Sequence, residues 1–263
     1  MVTGGSSGIG AGLAEEFARR GAVVGICGRR ADRLSAVLER CRLHSPESRM
    51  WVADLAESGA PEALASQALD SFGRVDVLVN NAGVPKRRHV TQLDGTAVEE
   101  VMKVNFLAPV RLTLALLPSL MDSGDGRVVN ISSVAATLSS PNESAYDASK
   151  AALSVFSEAM AVDLWDRGVK VLVVYPGLVD TELLHAPGND PVVDSPAEPV
   201  PVSDVVEAVF DALGRDAVQV YVPQFFQDLA TGKAGNVDGF LAGAAAFVAA
   251  QPSLDTEPAA ASA

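Results

Sequence analysis

The sequence predicts a three-layer α/β/α fold around a doubly wound parallel sheet, and three observations lead to it. Short β-branched apolar runs alternate with longer stretches of helical spacing along most of the chain. The runs are nearly continuous rather than alternating in apolar character, which suits strands covered on both faces. A glycine-rich turn near the start leads into the first helical stretch, the usual join between a strand and the helix that crosses over it.

The strands are expected at 23–27, 50–53, 75–79, 127–131, 169–174 and 218–222. Helical periodicity places helices at 10–20, 32–42, 61–72, 96–121, 146–167 and 203–213. The helices at 96–121 and 146–167 are apolar around most of their circumference, with Leu153, Val155, Phe156, Met160, Val162, Leu164 and Trp165 on the second. Covering one sheet face takes only a stripe. The surplus predicts a homodimer or homotetramer, or else cover by the chain's own loops. Residues 182–202 hold Pro187, Pro191, Pro196, Pro199 and Pro201 with no apolar period, and such a long loop reads as a lid in preference to a domain linker, since a strand and helix follow it. Residues 1–251 are expected to form one domain and 252–263 a frayed tail.

Composition narrows the function classes. With 263 residues, 48% apolar and 20% charged, wholesale disorder is excluded. A formal charge of -13 repels phosphate polymers and anionic lipid, so nucleic acid is not an expected partner. Cys27 and Cys41 are too few for a disulfide framework or an unaided zinc site, and His44, His89 and His185 form no pair at ligand spacing. No metal is expected. No charged start followed by an apolar core opens the chain, and the apolar stretch 240–250 is too short to span about 30 Å of hydrocarbon. No membrane span and a cytoplasmic location are the expectations.

Thr3-Gly4-Gly5-Ser6-Ser7-Gly8-Ile9-Gly10 precedes a helical stretch. A tight turn needs residues without a Cβ, and bare N–H groups at a helix N-terminus make an anion site that suits nucleotide phosphates. Glycine turns also join strands to helices without binding anything. After the second strand, Cys27-Gly28-Arg29-Arg30 offers no carboxylate for a ribose 2′-hydroxyl. Instead it offers guanidinium groups that fork onto phosphate, pointing to a 2′-phosphorylated cofactor, NADP(H), unless they merely begin a solvated helix. Asp54-Leu55 could accept from an adenine amino group or cap the next helix.

Tyr146 and Lys150 lie four apart on a helical stretch and so share a face. A phenol titrates near 10, and a neighbouring ammonium favours its anion; a fall of about three units takes roughly 4 kcal/mol. With these come Asn80-Asn81-Ala82-Gly83, Asn105, Ser132-Ser133 and Pro176-Gly177-Leu178-Val179-Asp180-Thr181. In this order and spacing, over about residues 1–225, they resemble the short-chain dehydrogenase/reductase family.

That resemblance implies a Rossmann-like domain and an NAD(P)-dependent enzyme. It assigns Tyr146 as general acid/base, Lys150 as its pKa-lowering partner and ribose ligand, Ser133 as the group orienting the substrate oxygen, and Asn105 as holder of a relay water. Gly4, Ser6, Ser7, Gly8, Ile9 and Gly10 would cradle the pyrophosphate and ribose, Arg29 the 2′-phosphate, Asp54 and Leu55 the adenine, and Asn81, Ala82 and Gly83 the adenosine side. Pro176, Gly177, Val179 and Thr181 would hold the nicotinamide. Ser132 competes with Ser133, but spacing to Tyr146 favours Ser133, with Ser132 facing the core. Ala108 and Ala136 replace glycines frequent in the family.

The expected activity is NADP(H)-dependent interconversion of a ketone or aldehyde and an alcohol on a mainly apolar small molecule. The alternatives are a 3-ketoacyl-thioester reductase, drawing on Lys86-Arg87-Arg88-His89 as an anion-attracting rim, and a catalytically silent nucleotide sensor or scaffold. That basic run could equally be a solvated loop. Only Met1 and Val2 precede Thr3, so the first strand is truncated, its neighbours' ladder groups are expected to lack partners, and the native start is expected to lie upstream.

Overall fold

Runs of Val, Ile and Leu favour extended backbone that is buried on both sides, and the chain uses them in that way. The computed structural model describes residues 1–191 and 197–250. The strands are β1 (Val2–Thr3), β2 (Gly25–Gly28), β3 (Arg49–Val52), β4 (Val77–Asn80), β5 (Gly126–Ile131), β6 (Val169–Pro176) and β7 (Gln219–Val222). They form one parallel sheet in the order β3-β2-β1-β4-β5-β6-β7. The order reverses between β1 and β4, and the loops leaving the C-terminal ends of those strands part there to form a crevice. Both faces are covered. Helices α1 (Gly8–Arg19), α2 (Ala31–Arg42) and α8 (Val202–Gly214) pack on one side. Helices α3 (Ala60–Phe72), α5 (Ala108–Asp122) and α7 (Ser144–Asp163) pack on the other.

The stretch expected as one helix over 96–121 is α4 (Gly95–Met102), a π turn over Lys103–Leu107, and then α5. Pro109 has no N–H to offer the Asn105 carbonyl four residues back, so the regular ladder cannot continue through it. By length and composition Gly95–Asp122 could cross a membrane, which the sequence reading overlooked. In this fold Leu112, Leu116 and Leu120 of that run are fully buried among core residues of the sheet and α3. Helix α7 stops at Asp163, short of the expected 167, and Gly168 turns the chain at φ +70. Helices α6 (Ala135–Leu138), α9 (Phe225–Gly235) and α10 (Val237–Ala249) were not anticipated.

Strand β1 is two residues long, as expected, but on the β4 side the ladder groups do not lack partners. Met1 extends the ladder: its carbonyl accepts from the Val79 N–H at 2.8 Å and its amine donates to the Val77 carbonyl at 2.7 Å. Burial pulls that amine down to about 6. Of the lid, 182–191 and 197–202 are described, running as turns to Asp190, with Val200 bridging Val179 before α8. The tail expected at 252–263 lies outside the described residues.

A buried polar ladder fixes the helices that carry the site. The Asn80 amide donates to Thr113 on α5 at 3.0 Å and to Asn130 on β5 at 2.8 Å, and the Asn130 amide donates to Ser157 on α7 at 2.6 Å. Losing one member strands the others without water. Asn130→Ala is expected to cost about 3 kcal/mol in chemical denaturation, since two buried groups lose a partner.

Candidate active site

The β1–α1 loop and the end of β4 press together because the loop lacks side chains. Gly4 sits at φ +64, and a Cβ there would lie 2.7 Å from the Asn81 amide nitrogen and 2.9 Å from the Ala82 Cα. A Cβ on Gly10 would come within 2.4 Å of both the Asn81 amide nitrogen and the Gly4 carbonyl oxygen. The Thr3 hydroxyl accepts from the N–H groups of Asn81 and Ala82 at 2.9 and 3.0 Å, while the Asn81 amide donates to the carbonyls of Thr3 and Gly4. Gly10 therefore serves this packing and does not line the cleft. Every other residue expected around a cofactor does line it: Gly4, Ser6, Ser7, Gly8, Ile9, Arg29, Asp54, Leu55, Asn81, Ala82, Gly83, Tyr146, Lys150, Pro176, Gly177, Val179 and Thr181.

The cleft encloses about 1130 Å³ and is lined from Arg29, Asp54 and Leu55 to Ser133, Tyr146 and Lys150. A dinucleotide fits its chemistry. The N-terminus of α1 opens on it with free N–H groups, and close approach of a pyrophosphate needs the glycine cradle just described. Asp54 accepts from the Ala56 N–H at 3.0 Å, so it turns its own loop as well as lining the cleft. Arg29 is exposed on the wall, whereas Arg30 reaches inward and donates to the hydroxyls of Ser6 at 3.1 Å and Ser7 at 2.8 Å. Arg30 and Arg33 both hold Glu182 from the lid. Sequence reasoning gave Arg33 and Glu182 no role. The only signal was a second arginine, Arg33, in the first turn of α2, three residues after Arg30.

Tyr146 and Lys150 share one face of α7, with the ammonium 5.8 Å from the ring centroid. The amine donates to the Ile131 carbonyl at 2.8 Å, and burial lowers its pKa to about 8. The Tyr146 phenol is pushed up, the reverse of the expected direction. Burial is the main cause and the Glu143 carboxylate adds to it, while hydrogen bonding with Ser133 opposes the rise. Ser133 also accepts from the Ala135 N–H at 3.1 Å. Ser132 faces the core as expected, bonded to Ser154 at 2.7 Å and to the Lys150 carbonyl.

Asn105 is fully buried behind the cleft wall. Its side-chain oxygen accepts from the Val84 N–H at 2.8 Å, and its side-chain amide donates to the Val84 carbonyl and to Ser149, both at 3.0 Å. Ser149 donates on to the Tyr146 carbonyl at 2.7 Å. The side chain thus braces the loop after Gly83 against α7.

Of the basic run, Arg87 and Arg88 are neither solvated nor free at the rim, while His89 is exposed. Arg87 is buried: its guanidinium donates to the carbonyls of Leu184 at 2.7 Å and Asp190 at 3.0 Å and lies 3.8 Å from Glu143. Arg88 pairs with the Asp190 carboxylate at 2.8 Å. The lid between Leu184 and Asp190 is pinned to the loop that follows β4.

Comparison with known proteins agrees with this geometry. The family model for short chain dehydrogenase matches residues 1–191. Dehydrogenase/reductase SDR family member 7B of Mus musculus is 33% identical over 242 residues, covering 88% of this chain and 74% of that protein. The 11-beta-hydroxysteroid dehydrogenase A of Sesamum indicum is 35% identical over 228 residues, 83% of this chain and 65% of its own. A short-chain dehydrogenase from Sphingobium yanoikuyae, solved in complex with NADPH, superposes with a TM-score of 0.79 at 30% identity, over 92% of this chain and 94% of that one. The chain belongs to the short-chain dehydrogenase/reductase family and is an NAD(P)-dependent oxidoreductase.

Asp147 lies beside the phenol in sequence, one of its oxygens is buried without a partner, and burial followed by repulsion from Glu143 pushes its pKa up to about 8. A carboxyl raised on folding stabilises the protein below its ordinary value near 4, and that stability drains away as pH rises through about 8. Asp147→Asn is therefore expected to melt at a higher temperature than the parent at pH 8, with the gap closing by pH 4 in thermal denaturation.

Proposed function

We propose that the protein is an NADP(H)-dependent oxidoreductase that interconverts a ketone or aldehyde and an alcohol on a mainly apolar small molecule. The observation that carries this reading is one cleft lined both by Ser133, Tyr146 and Lys150 and by the glycine loop with Arg29 and Arg30. A bound nicotinamide supplies or accepts the hydride. The protein's share is orientation and proton handling.

Tyr146 delivers its proton to the carbonyl oxygen in reduction and takes one back in oxidation. A phenol at or above its ordinary value near 10 carries its proton at neutral pH, the form reduction needs. Ser133 holds the same oxygen and donates to the charge that develops there. Lys150 grips the nicotinamide ribose and refills the phenol's proton. Asn105 contributes its backbone carbonyl, which Pro109 cannot bond, as the seat of a relay water. Asn81, Ala82 and Gly83 would flank the adenosine, Asp54 and Leu55 the adenine, and Pro176, Gly177, Val179 and Thr181 the nicotinamide.

Val84, Pro85, Leu178, Leu183 and Leu184 also line the cleft and support an apolar substrate. The thioester alternative drew on Arg87 and Arg88, but both are engaged by the lid, and that support falls away. Val155, Val162 and Trp165 are exposed on and just after α7, with Leu107 and Leu114 exposed on or beside α5. This apolar face supports assembly into a homodimer or homotetramer.

Tyr146→Phe is expected to lower turnover at least about a hundredfold, followed by NADPH absorbance on a panel of ketones and aldehydes, with NADPH affinity within about twofold of the parent. Arg29→Ala and Arg30→Ala are each expected to weaken NADPH about tenfold or more and NADH little; equal effects on both would remove the NADP(H) assignment.

A further inference from the structure

Glu182 follows Thr181, whose methyl group comes within 3.0 Å of where a Cβ on Gly8 would stand, so the start of the lid lies across the glycine loop. One Glu182 carboxylate oxygen accepts from Arg30 at 2.6 Å and the other from Arg33. The same Arg30 guanidinium donates through its other terminal nitrogen to Ser6 and Ser7 of that loop. An anionic pair of oxygens from a distant part of the chain thus occupies a seat made by two guanidinium groups beside two hydroxyls. The two arginines hold the Glu182 carboxyl below the usual range. The carboxylate nonetheless remains half exposed, so the contact can open without leaving a charge buried.

We propose that Glu182 is an internal competitor for the cofactor's 2′-phosphate, holding Arg30 and Arg33 until that phosphate displaces it and frees the start of the lid. The proposal rests on the NADP(H) reading above. A phosphate presents three oxygens and close to two charges, so it forks onto both guanidinium groups better than a carboxylate does. An unphosphorylated ribose brings only a hydroxyl, which has no means of displacing the carboxylate and can donate a hydrogen bond to it. Glu182 therefore weakens NADPH and leaves NADH alone, narrowing the preference that the arginines create. The stretch beyond Glu182 stays fixed, because Arg87 and Arg88 hold Leu184 and Asp190. The freed motion is confined to the residues nearest Glu182.

The test measures dissociation constants of the full-length protein for NADPH and NADH by their fluorescence, and for adenosine 2′,5′-bisphosphate and 5′-AMP by displacement. Glu182→Gln is expected to tighten NADPH and the bisphosphate about fivefold and to leave NADH and 5′-AMP within about twofold. Unchanged NADPH affinity, or equal tightening of all four ligands, overturns the competition. If Arg30→Ala still weakens NADPH selectively in that case, the cofactor assignment stands and only the role of Glu182 is lost. If neither parent nor variants favour the phosphorylated ligands, both fall.

Discussion

The architecture of the site depends on one close approach, that of the loop after β1 to the end of β4. Two parallel strands side by side bring their C-terminal loops to the same edge, but side chains would ordinarily hold those loops apart. Here Gly4 and Gly10 remove the obstacle, and Thr3 with Asn81 supplies the hydrogen bonds that replace lost solvent. Everything downstream is referenced to that junction. The N-terminus of α1 points into the cleft because of it, and Gly83, which follows from Asn81, comes up beside Lys150: a Cβ there would stand 3.5 Å from its amine.

The electrostatics of the inner end follow from burial rather than from pairing. Lys150 and Tyr146 are both desolvated, which disfavours the charged form of each, so the amine falls while the phenol rises. The carboxylate nearest in consequence is Glu143, and its own partner is Arg87, which is tied to the lid. A change in the lid's seating thus reaches the phenol through two charges. The proton-bearing form of Tyr146 is the ground state of this arrangement.

Much of this was legible beforehand, and the failures have physical causes. Strand positions came through within a few residues because fully buried strands leave an unbroken apolar signature. The interruption at 103–107 did not, since Pro109 sits where it is tolerated near a helix start and periodicity continues across it. Helices α9 and α10 were missed for a related reason: α10 is rich in Ala and Gly, none of its residues is buried, and it shows no stripe for a period to reveal. Tyr146, Lys150 and Ser133 were readable as a spaced set, yet the direction of the phenol's shift was not, because depth is a property of the fold. Arg87 looked like surface charge in an acidic chain; only coordinates reveal that three backbone or side-chain acceptors converge on it.

The knot around Arg87 also bears on how such a protein diversifies. Beyond Glu182, the short run of turns carries Leu183, Leu184 and Pro187 over the opening and is clamped again at Asp190, so its interior resembles a cassette between two fasteners. Exchanging or lengthening that interior reshapes the mouth of the cavity while both fasteners and the helix bearing Tyr146 keep their places. Selection for new substrates can therefore act on a handful of positions without renegotiating the proton-transfer geometry.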